Sequence, residues 1–487
     1  MIRVFLAESA RAATLGVWAS ASLVALATAA CSSDAASRSP ATDAGTDAND
    51  AALACPASTG TVVHDRERIT TSTTWRAAVG VHVIRGSMRV TDGATLTLEP
   101  CAIVALEADA VLEIGDTTST GAARLVAEGD AARPIVFRRS GNDAWGYVSV
   151  QYPGTASFAY ATLEGGGSEY PNGHHSMLMV RGTTDAPAVA AVSLKHVTLR
   201  NAVGPALWVR EQATFTADST DITVSGSGLA TAKDLEQFPV VVTSSALTAL
   251  PPGDYQGNAV KEILIDTDDV PQGGVGSLEN TRVHDRGVPY RVGEWAGAEW
   301  RFDTESRGGM SPVLTIEAGV TLRFAQRDSA HSGGKLAIHH STTSTLPGEV
   351  LRVEGTAAKP VTFTSSAAAP APGDWIGLWF GSGVNSATSI DHAIIEYAGA
   401  ESGTGGFTCP DSNKNDGAIQ IIGGPASRAF ITNTAIRHTL GNGITRGWDV
   451  SQGPSVDFAA TNTITDVEEC TQSIVRPVAG SCPSTCN

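Results

Sequence analysis

Six glutamates recur as equivalent pairs in this 487-residue chain: Glu99 with Glu317, Glu128 with Glu354, and Glu164 with Glu396. Carboxylates are the first residues to ask for acid–base work. Hydrolysis of a glycosidic bond needs two of them facing each other, about 5 Å apart for retention or about 6.5 to 9.5 Å for inversion. Each repeated glutamate stands singly in the sequence and is followed at once or nearly so by Gly, Pro or a small residue. That context reads as a chain corner whose carboxylate accepts hydrogen bonds from turn amides. The adjacent pair Asp268-Asp269 sits in DTDDVPQGG and reads as turn carboxylates.

CPDSNKNDG (Cys409 to Gly417) places Asp411, Asn413, Asn415 and Asp416 as oxygen donors before a glycine. A Ca²⁺ loop needs that glycine one residue earlier and a later carboxylate, where Ile422 stands, so a polar surface loop is the favoured reading. His174-His175, with Glu169 nearby, and His339-His340 are adjacent pairs. Neighbouring strand residues point to opposite faces, which makes neither pair a natural chelate. Trp145, Trp375 and Trp379 are candidates for stacking on a sugar ring. Packing in a core or corner competes, because Trp145 and Trp375 occupy equivalent repeat positions. No residue set calls for a cofactor or a metal.

The formal net charge of −17 opposes binding to nucleic acid or to anionic lipid, and it makes an acidic polysaccharide a poor electrostatic partner. The first residues belong to export. Arg3 and Arg11 precede AATLGVWASASLVALATAA (Ala12 to Ala30), which is apolar or small throughout and ends at Cys31, the layout of a secretory signal. A cysteine directly after Thr28-Ala29-Ala30 resembles a bacterial lipoprotein signal, although Thr28 stands where that pattern usually has Leu. Residues 1–31 are therefore expected to be a signal with Cys31 lipidated, anchoring the chain at the outer membrane or cell surface. The next segment, 32–54, has no aromatic residue and almost nothing large and apolar, so it is expected to be a disordered tether.

Setting Cys31 aside leaves Cys55, Cys101, Cys409, Cys470, Cys482 and Cys486, an even number suited to disulfides in an oxidising compartment. Sequence does not select among the connectivities. Cys55 with Cys101 would staple the start of the body to an early coil, and the four late cysteines would secure the C-terminal end.

From Cys55 onward, short apolar runs alternate at period two between Gly, Asn, Asp, Ser and Thr clusters, as in ATLTLEP, IVALEADAVLEI and VTLRFAQ. Long amphipathic helices are missing. The body also repeats itself in order. LTLE (Leu96 to Glu99) returns as LTIE (Leu314 to Glu317), and LVAEGDAARPIVF (Leu125 to Phe137) as LRVEGTAAKPVTF (Leu351 to Phe363). NDAWGYVSV answers to PGDWIGLWF, AYATLEGGG to DHAIIEYAG, and GVHVIRG (Gly80 to Gly86) to GVPYRVG (Gly287 to Gly293). Hairpin turns of the Asn-Gly and Asp-Gly kind are sparse. One inward aliphatic residue per short strand with corners of Gly, Pro and Asn suits parallel coils stacked about 4.8 Å apart.

These phrases resemble the bacterial right-handed parallel β-helix proteins of the pectin-lyase-like superfamily, and more narrowly its non-enzymatic surface and lipoprotein branch. The resemblance runs from about Gly80 to Thr465. It implies an all-β, right-handed parallel β-helix of on the order of 14 to 18 coils, either one long solenoid or two stacked segments, 55–240 and 241–487, the second with a Cys-rich C-terminal cap. The hydrolysing members use Asn-Thr-Asp, Asp-Asp, His-Gly and Arg-Ile-Lys, of which this chain has only Asp268-Asp269. The lyases use Arg-x-Pro-x-x-Arg, and the phrase from Arg286 to Arg291 has the wrong spacing. The expected function is a non-catalytic surface β-helix that contacts a glycan or a neighbouring surface protein. The alternative is a polysaccharide lyase or glycoside hydrolase with a non-standard site.

Overall fold

The computed structural model describes residues 55–116, 121–168, 176–184, 188–232, 234–267, 279–302, 311–338, 349–381, 383–403, 416–422, 424–475 and 486. The segments expected to be signal and tether (1–54, with Cys31), Glu169, His174, His175, Asp268, Asp269, His339, His340, the stretch from Cys409 to Asn415, and Cys482 lie outside the described residues.

Strands of two to six residues, with a single one of twelve, follow one another with turns between them, and every paired neighbour is parallel. The first turn of chain supplies β1 (Thr61–Asp65), β2 (Arg68–Ile69) and β3 (Thr73–Trp75), and the second supplies β4 (Val81–Arg85), β5 (Ser87–Val90) and β6 (Thr95–Leu98). Strand β1 pairs with β4, β2 with β5, and β3 with β6. Sequence neighbours therefore lie on different faces of a coil, and hydrogen bonds join each strand to its counterpart one coil on. This is a parallel β-helix, all-β apart from short helical turns such as Ser244–Leu247.

Period-two alternation does the packing. Leu96, Leu125, Ala156 and Val192 are register partners on four successive coils and are all buried. Leu314 and Leu351 repeat the arrangement in the second copy. Each of the Leu and Val side chains taken from water contributes about 1.5–3 kcal/mol. Corners are tight enough to force positive φ on residues other than glycine. Tyr160, His196 and Asp221 have φ of 46°, 53° and 53°. They stack on consecutive coils: the Tyr160 and His196 rings are 4.4 Å apart, and His196 Nδ1 lies 2.6 Å from Asp221.

A 14-stranded sheet runs from β2 to Thr463–Val467, taking one strand from each coil. It passes through Val240–Val242, and so crosses the expected segment boundary at 240/241 without interruption. The two sequence copies are not in phase along it. Ile135–Arg139 corresponds in sequence to Val361–Ser365, and Val148–Gln151 to Gly377–Phe380. Yet the long sheet contains Val148–Gln151 from the first copy and Val361–Ser365 from the second. The second copy is advanced by one face of the coil.

Two disulfides are described. Cys55–Cys101 ties the start of the body to the turn after β6, the staple considered from the sequence, and Cys470–Cys486 closes the C-terminal end.

Candidate functional site

The repeated tryptophans turn inward. Trp145 and Trp375 have no exposed surface, and each indole N–H donates to a backbone carbonyl, Glu164 O at 2.8 Å and Glu396 O at 2.9 Å. The two acceptors are repeat equivalents, so one packing solution is used twice. Trp375 also stacks face to face on Phe324 at 4.1 Å. Neither ring presents a face to a sugar. Trp379 points out of its sheet but is buried against Ala337 and Ile422, with the Lys335 ammonium 5.3 Å from its ring.

The glutamates are placed differently from the reading of single acids. Register puts Glu317 beside Glu354 on neighbouring coils, with Asp391 one coil further, while Glu99 and Glu128 each follow the last register pair of their strands, Leu98 and Ala127. The second copy therefore stacks two of its repeated acids on one flank. Their surroundings decide what they can do. Arg282 Nη1 reaches both Glu317 (3.1 Å) and Glu354 (3.2 Å), and His284 Nδ1 lies 3.1 Å from Glu317. Burial alone would raise the Asp391 carboxyl, but bonds from Thr432, Asn433 and His392 bring it below the usual range. Glu164 is held below its usual range chiefly by Arg200, with Asn201 adding a bond. A general acid has to hold its proton near neutral pH, and the shifts resolved on these flanks run the other way. Glu396 accepts from Thr364 and Arg437.

Other flagged residues are structural. In the Arg286 to Arg291 phrase, Arg286 donates to Leu250 O, Tyr290 to His284 O, and Arg291 pairs with buried Glu262. From CPDSNKNDG, Asp416 is buried and accepts from Ser402 N and Oγ. Its carboxyl is pushed up by burial, against those bonds.

The feature that sequence reading missed lies at the N-terminal mouth. A cavity of about 630 Å³ is lined by the first coil, among others by Val62, Glu67, Arg68, Thr73 and Arg76. Its floor is aromatic and polar. On β1 and β4 the inward positions, where later coils carry apolar residues, include His64 and His82, and β3 ends in Trp75. All three are more than nine-tenths buried. His64 Nε2 and His82 Nδ1 are 3.1 Å apart with ring centroids 5.4 Å apart and nearly parallel planes, so the imidazoles meet head-on, edge to edge. Trp75 lies flat over both, at 4.0 Å from His64 and 4.7 Å from His82.

Hydrogen-bond polarity assigns the protons. His82 Nε2 is 3.1 Å from Arg76 O, which can only accept, so Nε2 carries hydrogen and Nδ1 is the acceptor. His64 Nε2 faces that Nδ1 at 3.1 Å, and His64 Nδ1 faces Glu67 Oε2 at 3.1 Å. Burial lowers the His82 pKa, the bond to Arg76 O opposes this, and His64 lowers it further. Arg68 and Arg76 stand at the rim, half or more exposed, beside Asp92 (3.7 Å) and Glu99 (4.0 Å). The available signal was His and Trp at inward positions of the earliest strands, visible only once strand phase is assigned.

Comparison with protein-family models, curated proteins and solved structures finds no match for this chain. What fold and site define is a class: a disulfide-tied parallel β-helix with one polar-floored mouth pocket among the described cavities and ion-paired flanks.

Proposed function

We propose that the chain is an exported, lipid-anchored β-helix of the pectin-lyase-like kind, from its non-catalytic surface branch, that binds a surface glycan at its N-terminal mouth. The observation that carries this reading is the 630 Å³ mouth pocket, whose lining mixes hydroxyls (Thr70, Thr71, Thr73, Thr74), a carboxylate (Glu67), guanidiniums (Arg68, Arg76) and apolar side chains (Val62, Ile69, Val79). That mixture suits a ligand with both hydroxyl groups and carbon faces. A segment of a neighbouring surface protein is the other outcome of the test.

The test is a glycan array probed with the full chain in detergent, beside Glu67→Gln and Arg68→Gln. Binding is expected to weaken at least tenfold in both variants. Binding that ignores both substitutions would remove the mouth from the function. The anchor is tested separately: Cys31→Ser should shift the chain from the membrane to the soluble fraction, and equal partitioning would refute lipidation.

A second reading, a polysaccharide-cleaving enzyme with a non-standard site, is favoured by one observation, the stacking of Glu317 and Glu354 on one flank. Adjacent strands lie about 4.8 Å apart, near the spacing of a retaining pair. Arg282, shared between both carboxylates, argues for an ion-paired ladder instead.

A further inference from the structure

The two copies build one corner with different residues, and the difference opens a cavity in the first. Ile135–Arg139, Ala161–Glu164 and Val189–Arg200 lie on successive coils, with Glu164 and Arg200 as register partners. Val361–Ser365, Ala393–Glu396 and Ala435–Thr439 repeat this in the second copy, with Glu396 beside Arg437. The ion pair is thus common to both: Arg200 Nη2 lies 2.7 Å from Glu164, and Arg437 Nε 2.9 Å from Glu396. Four neighbouring positions differ. Thr364 and Ser365 of the second copy answer to Arg138 and Arg139 of the first, and Tyr397 and His438 to Gly165 and Asn201. In the second copy the hydroxyls turn to acids of the fold, Thr364 to Glu396 at 3.0 Å and Ser365 to Asp374 at 2.6 Å, and the Tyr397 and His438 rings stack 5.3 Å apart. In the first, a cavity of about 370 Å³ is lined by Arg138, Arg139, Glu164, Gly165 and Asn201.

We propose that this cavity is an anion site that takes a tetrahedral oxyanion, phosphate or sulfate, either free or as the ester of a small sugar. Arg200 and Asn201 hold Glu164, whose carboxyl lies below its usual range chiefly through the Arg200 bond, with the Arg139 charge contributing. That leaves two guanidiniums. Among the described residues no carboxylate forms an ion pair with Arg138 or Arg139. Arg139 is set in place: Nε donates to Gly165 O at 2.9 Å and Nη1 to Asn142 O at 3.1 Å, which leaves Nη2 as a donor. Gly165 permits this, since a Cβ there would collide with Arg139 Nε. Arg138 is exposed and bonds only to its neighbour's carbonyl, Arg139 O at 3.4 Å, so its fork can turn to a ligand. Two like charges on one cavity repel, and a dianion such as a phosphate ester at neutral pH balances both. The planar guanidinium also matches phosphate oxygens with paired hydrogen bonds. The net charge of −17 does not forbid this, because salt at physiological strength screens charges over about 8 Å. It does oppose a long polyanion, which would meet the acids beyond the cavity. The cavity shares no lining residue with the mouth, so this site stands apart from the glycan reading.

The experiment is isothermal titration of the full chain, in nonionic detergent at pH 7.5, with inorganic phosphate, sulfate, glucose 6-phosphate and glucose. Phosphate and sulfate should bind, and glucose should not. Glucose 6-phosphate bound more tightly than inorganic phosphate assigns the site to the ester, and the reverse order assigns it to the free ion. Arg138→Thr and Arg139→Ser give the first copy the residues of the second, where the same corner already accommodates them. Each should weaken phosphate binding at least tenfold. Arg124→Gln, which removes an exposed arginine outside the cavity lining, should leave it unchanged. Should Arg139→Ser fail to fold through loss of the bonds to Gly165 O and Asn142 O, Arg138→Thr decides alone. A wild type that binds neither phosphate nor sulfate overturns the site. So does full phosphate binding by Arg138→Thr, or an equal loss in Arg124→Gln, which would reduce the effect to general surface charge.

Discussion

A tryptophan repeated at equivalent positions is a packing device when its N–H and both faces are accounted for within the fold. Trp375 meets that condition: it has no exposed surface, Phe324 stacks on one face, and Glu396 O accepts from the indole N–H. Replacing it with Phe keeps much of the apolar volume but leaves a buried carbonyl without its donor, a loss of about 1–3 kcal/mol. Trp375→Phe should therefore lower the urea midpoint clearly without altering glycan binding, and Trp145→Phe should do the same through Glu164 O. An unchanged midpoint would mean that the buried indole bond contributes nothing to the fold. His64 and His82 are the opposite case. Buried at inward positions, their rings meet each other, Glu67 and Arg76 O through polar nitrogens that an apolar core residue would not need to satisfy.

At the scale of strands and ladders, alternation in phrases such as ATLTLEP revealed which residues point inward, because period two is a local property of the chain. Leu96 and Leu125 could be read as core before any coil was built. What could not be read was which strand lies beside which. The acids Glu317 and Glu354 look solitary because 36 residues of chain separate their strands' ends, yet register makes them neighbours. For the same reason the mouth escaped notice, since Trp75, His64 and His82 meet only when β1, β3 and β4 are wound into coils.

The stacked acids carry a prediction at this scale. Removing one charge from a ladder in which Arg282 serves both carboxylates leaves the other as its partner. Glu354→Gln should thus cost no more than about 1 kcal/mol, the range of a largely solvated ion pair. The chain should release no reducing ends or unsaturated uronates from pectin, alginate or xylan, before or after the substitution. Turnover in the wild type that vanishes in Glu354→Gln, with the fold intact, would establish the enzyme reading.

Taken as a whole, the molecule is two copies of one plan joined out of phase, and this has a test that no single strand provides. Sequence correspondence makes GVPYRVG the second copy of GVHVIRG. In-phase stacking would set Tyr290–Val292 over the stack that contains β4, whose last strand is Gly253–Gly257. The structure instead pairs Tyr290–Val292 with Ile263–Ile265 of the long sheet, with Leu264 and Arg291 as register partners. Neighbouring strands hold their Cα atoms about 4.8 Å apart, inside the range of about 4.4–6.8 Å that a disulfide spans. Leu264→Cys with Arg291→Cys should therefore oxidise to a bond found by peptide mapping, whereas Gln256→Cys with Arg291→Cys should not. The reverse outcome would restore in-phase stacking. The phase matters for function because it decides where repeated surfaces face. Advanced by one face, the Glu317–Glu354 ladder of the second copy does not continue the flank that carries Glu99 and Glu128 in the first. The two copies cannot line up their repeated acids into one groove for a polysaccharide chain, and that removes the long shared cleft on which an enzyme reading would lean.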